Sequence, residues 1–348
     1  MTRTLNDDTL DHLRHVVQDD APDDPRYRIN QRIGQGGMGT VYLAEDRALG
    51  RPVALKVIRD GALNKESIDR MSREAHIIAC LEHPGIVPVH DIGTLADGRA
   101  YYVMKWVQGR RLDEHFDASA GIPERLRVFQ RVCETVAFAH AHQVIHRDLK
   151  PQNVMVGPFG EVLVLDWGLA KAALDPSTNA AAAAPLPQER PLEPSPRETA
   201  HGTILGTPAY MSPEQALGAV DRIDERSDVY ALGGVLYFLL TGQAPRAAAQ
   251  SGDGALPLVP PRQRNRAVPR RLEAICLKAL SADPEHRYAG AAELAAEVVR
   301  FLDGQAVLAY HEGVLERLGR WAWRYRAPIL LVAAYLLMRA LLAVWPRR

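Results

Sequence analysis

His146-Arg147-Asp148-Leu149-Lys150-Pro151-Gln152-Asn153, followed thirteen residues later by Asp166-Trp167-Gly168, is the stretch on which the reading of this chain turns. Asp148, Lys150, Asn153 and Asp166 bring two carboxylates, an ammonium and a carboxamide into this stretch, with the apolar runs Val154–Val156 and Val162–Leu165 and, between the runs, Gly157 and Gly160. Such a pattern predicts a short hairpin. Upstream, Leu126, Phe129, Cys133, Val136, Ala137 and His140 recur on one face of a segment that opens at Pro123, a good first-turn residue, so a long helix is expected to lead into the loop. Before that helix, from Tyr27 to about Trp106, apolar residues fall in short runs such as Val41-Tyr42-Leu43 and Val53–Ile58, with one interruption at Lys65–Leu81, where Ile68, Met71, Ala75, Ile78 and Ala79 recur at helical spacing. The expected architecture is α+β, a β-rich lobe over 27–107 followed by an α-rich lobe over 108–302.

The β-rich part holds a second group of chemically useful residues. Ile33-Gly34-Gln35-Gly36-Gly37-Met38-Gly39-Thr40-Val41 contains GxGxxG, a weak signal alone because dinucleotide folds use it too. A dinucleotide site needs a helix directly after the glycines, whereas two strand-like runs follow here, the second containing Ala54-Leu55-Lys56. The better reading is a glycine hairpin over phosphates, where the missing Cβ lets backbone amides approach anionic oxygens. Glu74 lies 18 residues after Lys56, on the one helix of this block, where a carboxylate can orient and balance a phosphate-holding lysine.

Bulk properties narrow the function. The 348 residues carry 42 Lys and Arg against 42 Asp and Glu, so no global cationic excess is available for nucleic acid. Cys80, Cys133 and Cys276 are far apart with no CxxC, which excludes a disulfide framework and a zinc ribbon and fits a reducing, cytoplasmic setting. Residues 1–26 are acidic, lack the apolar core of a secretory signal and read as a solvated extension. Residues 172–200 turn to alanine and proline and read as an insert without a packed core. Ala327–Trp345 is apolar apart from Arg339, long enough as a helix to cross a bilayer, and is preceded over 303–326 by Arg317, Arg320, Arg324 and Arg326 with Trp321, Trp323 and Tyr325. A transmembrane helix at 327–345 with the lobes on the cytoplasmic side of a plasma or inner membrane is expected, attaching the chain to the lipid bilayer or pairing it with a second copy.

Taken in order, the glycine loop, Lys56, Glu74, HRDLKPQN, DWG, Gly206-Thr207-Pro208-Ala209-Tyr210-Met211-Ser212-Pro213-Glu214, Asp228 and Arg287 resemble a eukaryotic-type protein kinase, closest to the bacterial serine/threonine kinases, over about Tyr27 to Leu302. The resemblance implies a bilobal kinase fold that uses ATP and Mg²⁺ and acts on protein hydroxyls. It implies that Lys56, held by Glu74, grips the α- and β-phosphates, that Asn153 and Asp166 hold Mg²⁺, that Asp148 orients the attacking hydroxyl, and that Lys150 neutralises the transferring phosphoryl group. Val41, Ala54 and Met155 would sandwich the adenine, Lys105-Trp106-Val107 would offer the hinge backbone, Met104 would back the pocket, and Thr207 would help form the substrate site. Arg147 implies a basic pocket for a phosphorylated residue of the activation segment (166–214), with Thr199 and Thr203 as the candidates.

Two positions depart from the family pattern: Trp167 stands where Phe is usual, and Ser212 where Ala is usual. Glu214 is expected to pair with Arg287. His146 is expected in an apolar column with Ile78 and Trp167, resting on Asp228, and His140-Ala141-His142 reads poorly as a metal pair because i,i+2 positions face apart. The competing reading of the whole is a nucleotide-binding pseudokinase scaffold.

Overall fold

The computed structural model describes residues 24–35, 39–58, 65–117, 120–167, 171–172, 208–219, 222–245, 258–313 and 326–344. The strand-like runs of the first block form one antiparallel sheet in the order β1 (Tyr27–Gln35), β2 (Gly39–Asp46), β3 (Arg51–Ile58), β5 (Ala100–Lys105), β4 (Val89–Thr94). Its register sets the cleft: Val41 lies opposite Lys56, Ala54 opposite Met104, and Lys56 opposite Tyr102. At Gly39 a Cβ would stand 2.5 Å from Val57 O, so only glycine lets β2 start this close to β3. The interrupting helix is α1 (Lys65–Cys80), whose Met71 and Ala75 pack on Ile58, Ala100 and Tyr102. Asp24, inside the expected extension, is buried and accepts hydrogen bonds from the amides of Arg26 and Tyr27 and from the Tyr101 hydroxyl.

The second lobe is helical. After the short strand β6 (Arg110–Arg111) and the single turn α2 (Leu112–His115), the long helix α3 (Ile122–Ala141) begins with proline in its first turn, as expected, and buries Leu126, Phe129, Val132, Cys133, Val136 and Ala139. It leads through β7 (Val144–Ile145) to the catalytic-loop sequence and then to the predicted hairpin, β8 (Val154–Val156) and β9 (Val162–Val164). A two-residue strand, β10 (Lys171–Ala172), pairs back on β7, so the expected insert begins after its nominal first residue. Helix α4 (Pro213–Ala216) is capped by Ser212, whose hydroxyl accepts from the Gln215 amide while the Gln215 side chain accepts from the Ser212 amide. The serine that departs from the usual alanine is therefore a capping residue. Helix α5 (Glu225–Thr241) runs through the centre of the lobe with thirteen of its residues buried. Around it lie α6 (Pro261–Arg264), α7 (Arg270–Ala279) and α8 (Ala291–Leu302), forming with α3 one continuous core.

The last helix, α9 (Arg326–Val344), occupies the expected span, but among the described residues no helix is long and apolar enough to cross a membrane. Side chains of α9 are described only over 330–340. That stretch rises about 16 Å against a hydrocarbon thickness of about 30 Å and includes Arg339. A transmembrane crossing is thus not established. The three cysteines are free, Cys80 exposed at the end of α1 and Cys133 and Cys276 buried in the large lobe.

Candidate active site

The small lobe supplies the first half of the site. Lys56 Nζ donates to Glu74 Oε1 at 2.7 Å and to Asp166 Oδ1 at 3.1 Å, and the Tyr102 hydroxyl donates to the same Glu74 oxygen at 2.8 Å. Lys56 and Glu74 are both buried. Burial alone would lower the Lys56 ammonium, but Tyr102, Asp166 and Glu74 more than reverse it and hold it well above its usual range. Tyr102 was not visible as a site residue in the sequence. Its position directly across the sheet from Lys56 is the signal that finds it.

The second half is the loop after α3. Asp148 Oδ2 accepts from Lys150 Nζ at 2.7 Å and from Asn153 Nδ2 at 3.2 Å, while Asn153 Nδ2 also donates to the Asp148 carbonyl at 2.8 Å. Both donors converge on one oxygen, which leaves Asp148 Oδ1 for another proton donor. Asn153, with its amide nitrogen so committed, keeps its side-chain oxygen for a cation. Its carbonyl accepts from the Leu165 amide at 2.8 Å, which sets Asp166 beside it in the next position of the chain. Asp166 has φ +61° and Arg147 φ +70°, left-handed values that cost non-glycine residues about 1–3 kcal/mol. Burial raises the Asp166 carboxyl, but Lys56, through charge and hydrogen bond, outweighs it and holds the group below the usual carboxylate range. Its side chain is half exposed to the cleft.

Asp228 holds the strained loop in place. Fully buried near the start of α5, it accepts from the amides of His146 and Arg147, each at 2.8 Å, and bonds His140 Nε2 at 2.9 Å. Burial pulls its carboxyl upward, and the His140 contact, the nearby His146 and the Arg147 amide carry it below the usual range. His146 packs its ring 4.6 Å from Trp167 and bonds the Leu165 carbonyl, so the expected column is present. His140, set aside as a metal residue, is the third partner of Asp228. Among the described residues no cluster of three or more His, Cys, Asp or Glu forms a metal centre. Gln215 Nε2 donates to the Arg147 carbonyl at 2.8 Å, tying the α4 cap to the same loop.

Glu214 and Arg287 form the expected pair, with contacts of 2.7 and 2.9 Å, and Ser227 donates to Glu214 Oε1 at 2.7 Å. Burial raises the Glu214 carboxyl, yet the Arg287 and Ser227 hydrogen bonds bring it down to about 2.

In the expected adenine pocket, Ala54 is buried and Val41, Met104 and Met155 are half-buried. The Lys105 amide is bonded to the Pro88 carbonyl at 3.0 Å and is thereby committed within the small lobe. Ile33 is exposed, and Gly34 and Gln35 pair with Val41 and Thr40. Gly36, Gly37, Met38, Thr199, Thr203 and Thr207 lie outside the described residues.

Asp166 and Asn153, two hard oxygen donors side by side, fit a Mg²⁺ ion that completes its coordination with water and substrate phosphates.

With this geometry in view, comparisons with known proteins are decisive about lineage. The protein kinase domain family matches residues 27–298. The serine/threonine-protein kinase PknD of Protochlamydia amoebophila is 37% identical over 306 residues, covering 80% of this chain and 30% of that protein. PknB of Mycobacterium leprae is 37% identical over 295 residues, covering 80% and 43%. The chain therefore spans less than half the length of either relative. Among solved structures, the kinase domain of Mycobacterium tuberculosis PknI is similar with a TM-score of 0.60 and 25% identity, over 80% of this chain and 96% of that one. The chain belongs to the protein kinase family, in its bacterial serine/threonine group.

Proposed function

We propose that the chain transfers the γ-phosphoryl group of ATP to serine or threonine hydroxyls of proteins, attached to a membrane through α9 and switched on by phosphorylation of its own activation segment. One observation carries the catalytic reading: both halves of the site are assembled at once, Lys56 bonded to Glu74 and Asp166 across the cleft, and Asp148 flanked by Lys150 and Asn153.

The division of labour follows from which atoms are committed. Lys56, its charge secured by Glu74, offers its ammonium to the α- and β-phosphates. Asp148 Oδ2 is held by Lys150 and Asn153, so Oδ1 is the oxygen that meets the substrate hydroxyl, orients it and takes its proton as the bond to phosphorus forms. The leaving oxygen stays on ADP. Lys150, anchored on Asp148, stands where charge builds on the transferring group. A Mg²⁺ ion on Asn153 and Asp166 would supply charge neutralisation of the phosphates.

The apolar surface of α9 supports membrane attachment. Leu330, Leu331, Leu336 and Leu337 are 60–72% exposed and lie all round the helix, large aliphatic side chains that a lipid phase would cover. Thr199 and Thr203 are the proposed phosphorylation sites, with Arg147 the proposed partner of the phosphate, and Thr207 the proposed substrate contact.

The test is phosphate transfer from labelled ATP with Mg²⁺ by the full chain in detergent, beside Asp148→Asn, with the label mapped to residues. A fall of about 10²–10⁴ in rate in the variant, with label on Thr199 or Thr203 in the wild type, is the expected result. Nucleotide binding without transfer to itself or to any serine- or threonine-containing protein overturns the reading in favour of a scaffold.

A further inference from the structure

Away from the active site, one surface departs from the chain's neutral balance. Residues 260–272, PPRQRNRAVPRRL, contain five arginines, no lysine and no acidic residue. Arg264, Arg266 and Arg270 are exposed and among the described residues none of them forms an ion pair, although the Arg264 side chain also meets the Tyr237 hydroxyl. Arg262 and Arg271 are built into the fold instead. Arg262 Nε donates to the Val268 carbonyl at 3.1 Å, and Arg271 Nη1 donates to the Gln305 carbonyl at 3.1 Å with its guanidinium 5.1 Å from the centre of the Phe301 ring.

Three features make this patch more than a solvated face. Pro260, Pro261 and Pro269 restrain the backbone that carries the exposed arginines, so the main-chain part of the ordering cost on a ligand is already met. Arg270 and Arg271 occupy the first two positions of α7, whose N-cap Pro269 makes no side-chain cap; cations at a helix N-terminus oppose the helix dipole. For Arg271 the contacts with Gln305 and Phe301 offset that cost, whereas for Arg270 no such contact among the described residues does. Finally, α7 touches the segment by which the chain leaves the lobe: besides the Gln305 contact, Arg271 lies 3.6 Å from Glu312. Twelve residues separate Gly313 from Arg326, enough to reach about 45 Å when extended.

We infer that Arg264, Arg266 and Arg270 form a docking surface for anionic phospholipid headgroups, so that the large lobe rests on the same bilayer that takes up α9. This rests on the reading of α9 as a membrane attachment. Guanidinium groups suit phosphate through paired, planar hydrogen bonds. The stretch 260–272 contains no aromatic residue on which a base could stack, which favours a lipid over a single-stranded nucleic acid.

The experiment uses the full chain with vesicles of phosphatidylcholine alone or with one quarter phosphatidylglycerol, reading co-sedimentation and amide hydrogen exchange over 260–272. The comparison variant is Arg264→Ser/Arg266→Ser/Arg270→Ser, its melting temperature checked against the wild type. At about fivefold per arginine, the three together should favour the anionic vesicles by about a hundredfold, with slowed exchange over 260–272. In the variant the preference should fall to what the remaining arginines before α9 supply and the slowed exchange over 260–272 should be lost, and both effects should shrink at high salt. Sedimentation with both vesicle types and equal exchange in each overturns the docking surface and leaves the α9 attachment standing. Sedimentation with neither removes both readings, whereas arginine-dependent sedimentation with anionic vesicles alone keeps the patch and removes the α9 attachment. An anionic preference that the triple substitution leaves undiminished, or stronger protection of 260–272 by RNA than by phosphatidylglycerol, also overturns it.

Discussion

The two halves of the active site are held by different means. The large-lobe half rests on Asp228, a buried carboxylate whose oxygens take two backbone amides and a histidine, inside a core that runs through α3, α5, α7 and α8. In the small lobe, the equivalent role falls to Glu74, which is attached to its target only by side chains, on a helix that sets Met71 and Ala75 on a small cluster with Ile58, Ala100 and Tyr102 and only its last turn, at Ile78, on the large core. Backbone anchoring keeps Asp148 in place whatever the small lobe does. Side-chain anchoring makes the Lys56 position dependent on where α1 sits. Catalytic competence is therefore expected to be gated at α1 and not at the catalytic loop.

Removing Asp228 should blur this distinction by damaging the fold itself. Asp228→Ala strands His140 and two amides without their acceptor, and a loss of about 3–5 kcal/mol is expected. Thermal or denaturant unfolding reads it, and activity should fall in parallel with the folded fraction. Retention of the wild-type midpoint would show that the loop stands without its buried carboxylate.

Acid should attack the large lobe in a related way. Glu214 ionises in the folded chain at about 2, against about 4.5 for the unfolded group, so its contribution is fully present above about pH 4.5 and is lost as pH falls through the range down to about 2. The shift corresponds to about 3 kcal/mol. In Arg287→Met the unfolding midpoint should depend less steeply on pH across that window, and an unchanged slope would mean that the pair does not set the Glu214 ionisation.

The small-lobe substitutions should separate activity from stability. Glu74→Gln weakens the hydrogen bond to Lys56 and is expected to lower kcat/KM about ten- to a hundredfold while the melting temperature moves little. A large drop in melting temperature instead would erase the contrast between the halves. Tyr102→Phe removes one donor to Glu74 and is the mildest, worth about 1 kcal/mol, or a several-fold fall in kcat/KM.

Much of this arrangement was legible in the sequence because its signals are local. The short apolar runs, the helical spacing over 65–81, the proline at the start of α3 and the hairpin after Asn153 each depend on a few neighbouring residues, and the structure reproduces them. What stayed hidden depends on contacts between distant positions. Tyr102 meets Glu74 from 28 residues away through strand register, Gln215 reaches Arg147 across 68, and His140 finds Asp228 across 88. No pattern within a short window encodes such partners. Ser212 was legible as a departure but not as a cap, since its hydroxyl acts only once α4 forms. The length of residues 327–345 pointed to a membrane crossing, and a helix forms there, but among the described residues no helix is long and apolar enough to cross. The roles of Thr199, Thr203 and Thr207 fall outside the described residues and rest on the proposed function.

The distribution of the three thiols has a practical consequence. Burial pushes the Cys276 thiol above the range in which it ionises, and the Cys133 thiol well above its usual value, while Cys80 sits in solvent at the end of α1. A maleimide dye or spin probe added to the native, folded protein is expected to attach at Cys80 alone, without any engineering of the chain. It would report on the one helix whose position decides whether Lys56 and Glu74 meet, so the molecule carries its own labelling point for watching that helix move while nucleotide binds.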